Sequence, residues 1–203
     1  MDRESLIKRI VEEKGDKAIP ELVKLLKEGD SEVRDIVSEA LFKLGNKARE
    51  YLLKEFHEGL KAQKKDDVYL LYVVDLLGDF GERSIVPYLY KLLSFYSFEE
   101  AELIIYEALA KLGEGDKVYD ILRFFLLEDT ERAKFGAQAA IALSYIDRPE
   151  IVKDLVQAIE SGIFKGEELA ILKQALSFVV MKNPMYREIL LTLVGDNIEK
   201  YLY

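Results

Sequence analysis

The chain repeats itself, and nothing else in it restricts the possible folds so strongly. Four segments align: "VSEALFKLGNKAREYLLKEF" from Val37, "VVDLLGDFGERSIVPYLYKLL" from Val73, "IYEALAKLGEGDKVYDILRFF" from Ile105 and "AAIALSYIDRPEIVKDLVQAI" from Ala139. Each reads as the end of one amphipathic helix, a short turn and a second amphipathic helix. Such a pair cannot bury its apolar faces alone and must stack on its neighbours. Anchoring on the turn gives Gly15, Gly45, Gly81, Gly113, Asp147 and Asn183, separated by 30, 36, 32, 34 and 36 residues, hence six units. Gly, Asn and Asp tolerate the left-handed conformation that ends a helix, which predicts positive φ at all of these anchors.

The spacing within the units predicts their buried faces. Eight residues before the four central anchors stand Val37, Val73, Ile105 and Ala139; five before, Ala40, Leu76, Ala108 and Ala142; four before, Leu41, Leu77, Leu109 and Leu143. These spacings share one helical face. The first unit is expected to contribute Ile7, Ile10 and Val11, and the last Ala175, Phe178 and Val179. Second helices carry the column Leu22, Leu52, Leu89, Leu122, Leu155 and Leu190, with Leu26, Phe56, Leu93, Leu126, Ile159 and Val194 four residues on. Pro20, Pro87, Pro149 and Pro184 all fall near the start of a second helix, where a missing N–H does no harm. Ser31, Asp66, Thr130, and Ser97 with Glu100 as a capping box, are the expected caps of first helices.

Paired helices at this period, with "LG" or "FG" turns at Leu44-Gly45, Phe80-Gly81 and Leu112-Gly113 and prolines opening second helices, resemble the HEAT repeat family over essentially the whole chain. Ile146-Asp147 and Lys182-Asn183 depart from the turn pair, and "GEGD" at 113–116 inserts about two residues. The resemblance implies an all-α fold, an α-α superhelix or right-handed α-solenoid of about six helical-hairpin repeats, with second helices lining a concave inner surface. The expectation is one domain over 1–203, with units near 1–29, 30–65, 66–96, 97–128, 129–161 and 162–203. The polar outer side of the first helix (Arg3, Glu4, Lys8, Arg9, Glu12, Glu13) and the single apolar stripe of the last suit a soluble monomer.

Composition removes many kinds of chemistry. With no cysteine, disulfides, thiolate-bound zinc, iron–sulfur clusters and cysteine nucleophiles are excluded. Lys+Arg 29 against Asp+Glu 38 leaves a net charge of -9, whose field disfavours nucleic acid as a partner. The longest uncharged apolar run, "VYLLYVV" at 68–74, is far short of the roughly 20 residues a spanning helix needs. The N-terminus reads as lacking a secretory signal, so a cytoplasmic protein is expected. Few Asn and Gln beside abundant Glu and Lys point to a thermophilic source.

"KEFHEGLKAQKK" at 54–65 holds the one histidine, His57, followed by Glu58. HEAT-like deoxyhypusine hydroxylases bind iron through several His-Glu pairs near the starts of first helices. The corresponding places here are Asp35-Ile36, Leu71-Tyr72, Leu103-Ile104 and Ala137-Gln138, none of them a ligand pair. One imidazole, flanked by Lys54 and Lys61 at helical spacing, is not such a site. No Gly-x-Ser-x-Gly turn or phosphate-cradling Gly-Lys-Ser/Thr loop is present, and the carboxylates of "FEEAE" and "LEDTE" sit at helix starts, where they complement the dipole. The expectation is therefore no catalysis, no cofactor and no metal. An alternative is a HEAT-like enzyme related to the phycobilin lyases, for which the chain offers no residues to carry across; a second is a nucleic-acid binder using a local basic patch.

What remains is surface. Two residues after each column leucine of the second helices stand Lys24, Lys54, Lys91, Phe124, Gln157 and Thr192; one before stand Glu21, Tyr51, Tyr88, Ile121, Asp154 and Ile189. Both rows lie outside the apolar arc and are one turn apart. Lys24, Tyr51, Lys54, His57, Tyr88, Lys91, Ile121 and Phe124 are accordingly expected to form an aromatic and cationic strip on the concave face, the contact for a protein partner with an acidic surface. The competing reading is a solvated lysine face with rings packed sideways on neighbouring repeats. The insertion near Gly115 is the feature that would turn Phe124 into the core.

Overall fold

In the computed structural model, which describes residues 2–203, every regular element is helical. Met1, which opens the first expected unit, lies outside the described residues. The helices are α1 (Arg3–Arg9, continued by a π-turn Ile10–Lys14), α2 (Ile19–Glu28), α3 (Ser31–Lys43), α4 (Asn46–Ala62), α5 (Val68–Asp79), α6 (Val86–Leu92), α7 (Glu99–Lys111), α8 (Gly115–Leu127), α9 (Arg132–Ser144), α10 (Glu150–Glu160), α11 (Gly166–Lys182) and α12 (Pro184–Val194). The all-α expectation is met, and odd and even helices correspond to the first and second helices of the expected pairs. No helix among the described residues is long and apolar enough to cross a membrane.

Contacts group the chain into two compact units, Met1–Ala108 and Leu109–Tyr203. In the first, α3 packs on α1 and α5, while α2 packs on α3, α4 and α5. In the second, α9 packs on α11, and α10 packs on α8, α11 and α12. Each unit thus alternates its helices between two layers, and the apolar columns lie where the layers meet. Leu41, Leu77, Leu109 and Leu143 are fully buried, as are Val73, Ile105 and Ala139. The second-helix column from Leu22 to Leu190 is buried throughout, at 4% exposure or less.

The register departs from expectation in several places; Ile10, Val11, Ile159 and Val194 are half-buried rather than core. Gly15, Gly45, Gly81 and Gly113 do have positive φ, but Asp147 and Asn183 do not. Their side chains accept hydrogen bonds instead: Asp147 Oδ1 from the Tyr186 hydroxyl at 2.6 Å, and Asn183 Oδ1 from the Met185 amide at 3.0 Å, which caps α12. In the last unit Ala175 and Val179 are buried as expected, but Phe178 is 46% exposed, and Leu176 and Val180 are buried in its stead. Asn183 both ends α11 and caps α12, in extended rather than left-handed backbone. In α6 the helix tightens to a 3₁₀ turn at Leu93–Phe95, so Leu92 is buried and Leu93 is half-buried.

The caps also sit one residue away from their expected positions. Asp30, not Ser31, accepts from the Val33 amide at 3.0 Å, because its backbone is the last in extended conformation. Asp66 has φ 54° and accepts from the amide and hydroxyl of Ser97, leaving Asp67 at the start of α5. That contact also occupies the Ser97 hydroxyl expected in a capping box. Asp129 rather than Thr130 accepts from the Glu131 amide.

Candidate interaction surface

Arg34, Tyr69 and Tyr119 show how this fold uses most of its polar side chains. Arg34 donates to the carbonyls of Leu26 and Lys27, closing the last turn of α2, and its guanidinium lies 5.1 Å from the Tyr72 ring centre. The Tyr69 hydroxyl donates to Glu55 at 2.9 Å; burial first, and that carboxylate second, raise its pKa well above the usual phenol range. These groups line a cleft of about 550 Å³ in which Lys64 also pairs with Asp67 at 3.7 Å. In the Leu109–Tyr203 unit, Asp154 is buried and accepts from the Tyr119 hydroxyl at 2.6 Å and from Arg123 Nε at 3.2 Å. Arg148 stacks 4.1 Å from the Tyr119 ring centre. No buried side-chain nitrogen or oxygen among the described residues lacks a partner. Asp154 also corrects the expected surface row: one before its column leucine it is core, because Tyr119 and Arg123 of α8 reach over it.

The other row is exposed as expected: Lys24, Lys54, Lys91, Phe124, Gln157 and Thr192 all face solvent. Phe124 is 42% exposed, so the insertion does not turn it inward. Gly115 accommodates the extra residues at the start of α8, where a Cβ would stand 2.8 Å from Ile146. Of the strip residues, Lys24, Tyr51, Lys54, His57, Tyr88 and Lys91 belong to Met1–Ala108, and Ile121 and Phe124 to Leu109–Tyr203. Tyr51, His57 and Ile121 are half-buried.

His57, Tyr88 and Lys91 come together in one groove of about 660 Å³ between the end of α4 and α6. The Tyr88 ring stands edge-on to His57, centroids 5.7 Å apart, and 6.2 Å from the fully buried Phe56. Two aromatic neighbours thus fix the ring while it stays 40% exposed. Lys24, Tyr51 and Lys54 do not line this groove. Leu60, Gln63, Leu92 and Phe95 do, together with Lys61. Leu92 and Phe95 stand four and seven residues after Tyr88, a spacing that shares its helical face, so this signal was present in the sequence although the rows counted from the column leucines passed over it.

His57 is therefore packed against a tyrosine. No group of three His, Cys, Asp or Glu side chains among the described residues is arranged to hold a metal ion. No protein-family model, no curated protein and no solved structure matches the chain.

Proposed function

We propose that this chain is a protein-binding module of the HEAT-like type: a right-handed α-solenoid of six helical pairs that serves as a non-catalytic adaptor in the cytoplasm, as a monomer. Its partner docks on the side of the second helices. The two-layer alternation within each unit supports the solenoid reading, and the uniform exposure of the row from Lys24 to Thr192 supports the choice of face. The observation that carries the proposal is Tyr88, a large ring held between His57 and Phe56 yet left 40% exposed beside Lys91. Rings held in this way contribute contact area at little entropic cost, as at the centres of protein interfaces.

The test is affinity capture from the source organism, followed by titration of the captured protein with wild type, Tyr88→Ala and Lys91→Glu. Loss of an interface anchor should weaken binding by about tenfold or more. Unchanged affinity in both variants, with wild-type circular dichroism, would reject this face as the docking surface.

A further inference from the structure

The groove beside Tyr88 sets cations without carboxylate partners over an apolar floor. In the cleft near Tyr69, Arg34, Glu55, Lys64 and Asp66 are engaged with other groups of the fold. In the cleft of about 510 Å³ at the end of α10, Arg132 donates to the Leu127 carbonyl and Glu160 accepts from Tyr201. Lys153 in that cleft and Glu58 in the Tyr69 cleft have no ion pair, and at the Tyr88 groove neither Lys61 nor Lys91 has a carboxylate within ion-pair distance among the described residues; the same holds for Lys54 one turn before His57. This happens in a chain with 38 acidic residues against 29 basic ones, where pairing partners are abundant.

Exposure separates rim from floor. Lys61 and Lys91 are exposed, Leu92 is 3% exposed, and Leu60 and Phe95 are half-buried. An apolar floor under unpaired ammonium groups, in a volume of about 660 Å³, accommodates one large side chain with charged groups on either side of it.

We propose that this groove binds an acidic linear protein segment bearing one bulky aliphatic or aromatic side chain. The apolar side chain rests on Leu60, Leu92 and Phe95 against the Tyr88 ring, and flanking carboxylates meet Lys61 and Lys91. The proposal rests on the protein-binding reading and adds the partner's chemistry to it. A peptide confines a few carboxylates to the groove. A nucleic acid carries charge at every residue and would extend it over the surrounding surface of a protein of net charge -9, which favours the peptide.

The experiment uses the full chain and fluorescein-labelled short peptides, read by anisotropy. One set has a central Phe or Leu flanked by Glu, a second has Lys in place of Glu, and a third keeps Glu but has Gly at the centre. The Glu-flanked apolar set should bind at least about tenfold tighter than both controls. Its affinity should fall as salt shortens the Debye length from about 30 Å to about 8 Å. In the surface double variant Lys61→Glu, Lys91→Glu the preference should reverse toward the Lys-flanked set.

Equal binding of the Glu and Lys sets, or a preference that the double variant leaves unchanged, overturns the proposal. Tighter binding of a labelled oligothymidylate than of any peptide does the same, in favour of nucleic acid. If a captured partner still depends on Tyr88 while the Glu-flanked set shows no advantage, the acidic-segment inference falls and the protein-binding reading stands. If the captured partner is also indifferent to Tyr88, both fall.

Discussion

Replacing Asp154 with alanine should destabilise the protein by about 3 kcal/mol, a figure built from its two contacts. The carboxylate is 5% exposed and accepts from the Tyr119 hydroxyl at 2.6 Å; Tyr119 itself is 6% exposed. Removing the acceptor forfeits a charge-assisted hydrogen bond and leaves a buried hydroxyl unpaired, together about 2–3 kcal/mol since the two losses overlap. The second contact, Arg123 Nε at 3.2 Å, contributes less. Arg123 is 35% exposed and keeps Glu128 as a partner, so solvent screening holds its share below about 1 kcal/mol.

Tyr119→Phe removes only the donor, leaves the carboxylate to Arg123, and should cost about 1.5 kcal/mol. Because both changes delete the same bond, the double variant should be about 1–2 kcal/mol less damaged than the sum of the singles. Urea titration followed by far-ultraviolet circular dichroism measures all three. Should the chain unfold in two steps, the effect belongs to the step of the Leu109–Tyr203 unit, which holds both residues. A loss below about 1 kcal/mol for Asp154→Ala, or strict additivity in the double variant, would refute the reasoning.

Leu109→Ala, at a fully buried column position, should cost about 2–5 kcal/mol in the same titration. Gly136→Ala places a methyl 2.4 Å from the ring of Phe164, itself 4% exposed with little room to move, and should cost about 1–3 kcal/mol through overpacking. Asp66→Ala removes the acceptor of the Ser97 amide and hydroxyl and puts alanine at φ 54°; faster amide exchange at Ser97 and a loss of about 1–2 kcal/mol should follow. Burial and the Asp147 carboxylate push the Tyr186 phenol up to about 12. Its folded pKa exceeds its unfolded one, so its contribution is complete below pH about 10 and is lost as pH rises toward 12. Stability measured against pH should decline over that window, and less steeply in Tyr186→Phe.

The helical pairs and most of their core were legible in the sequence because a helix has a fixed period. Leucines that recur at the same distance from a turn share a face whatever surrounds them, and from Leu22 to Leu190 that face is buried. The row from Lys24 to Thr192 was legible for the same reason, since residues outside the apolar arc at that offset are exposed in every pair. Where the period changes, the reading slips: at the 3₁₀ turn after Leu92, and at Asn183, which ends one helix and caps the next in extended backbone. Neighbouring cap candidates such as Asp30 and Ser31 differ only in backbone conformation, which spacing does not encode.

The fate of individual polar groups was decided later still. Asp154 and Gln157 occupy comparable surface rows on paper, but Tyr119 and Arg123 close over one and leave the other in water. His57 stands between two lysines in the chain, and in the fold its ring meets Tyr88, from another helix. Periodicity is a local property and survives translation into structure; which charges are paired and which ring stays exposed depend on side chains about 30 residues away in the chain, and only packing brings those together.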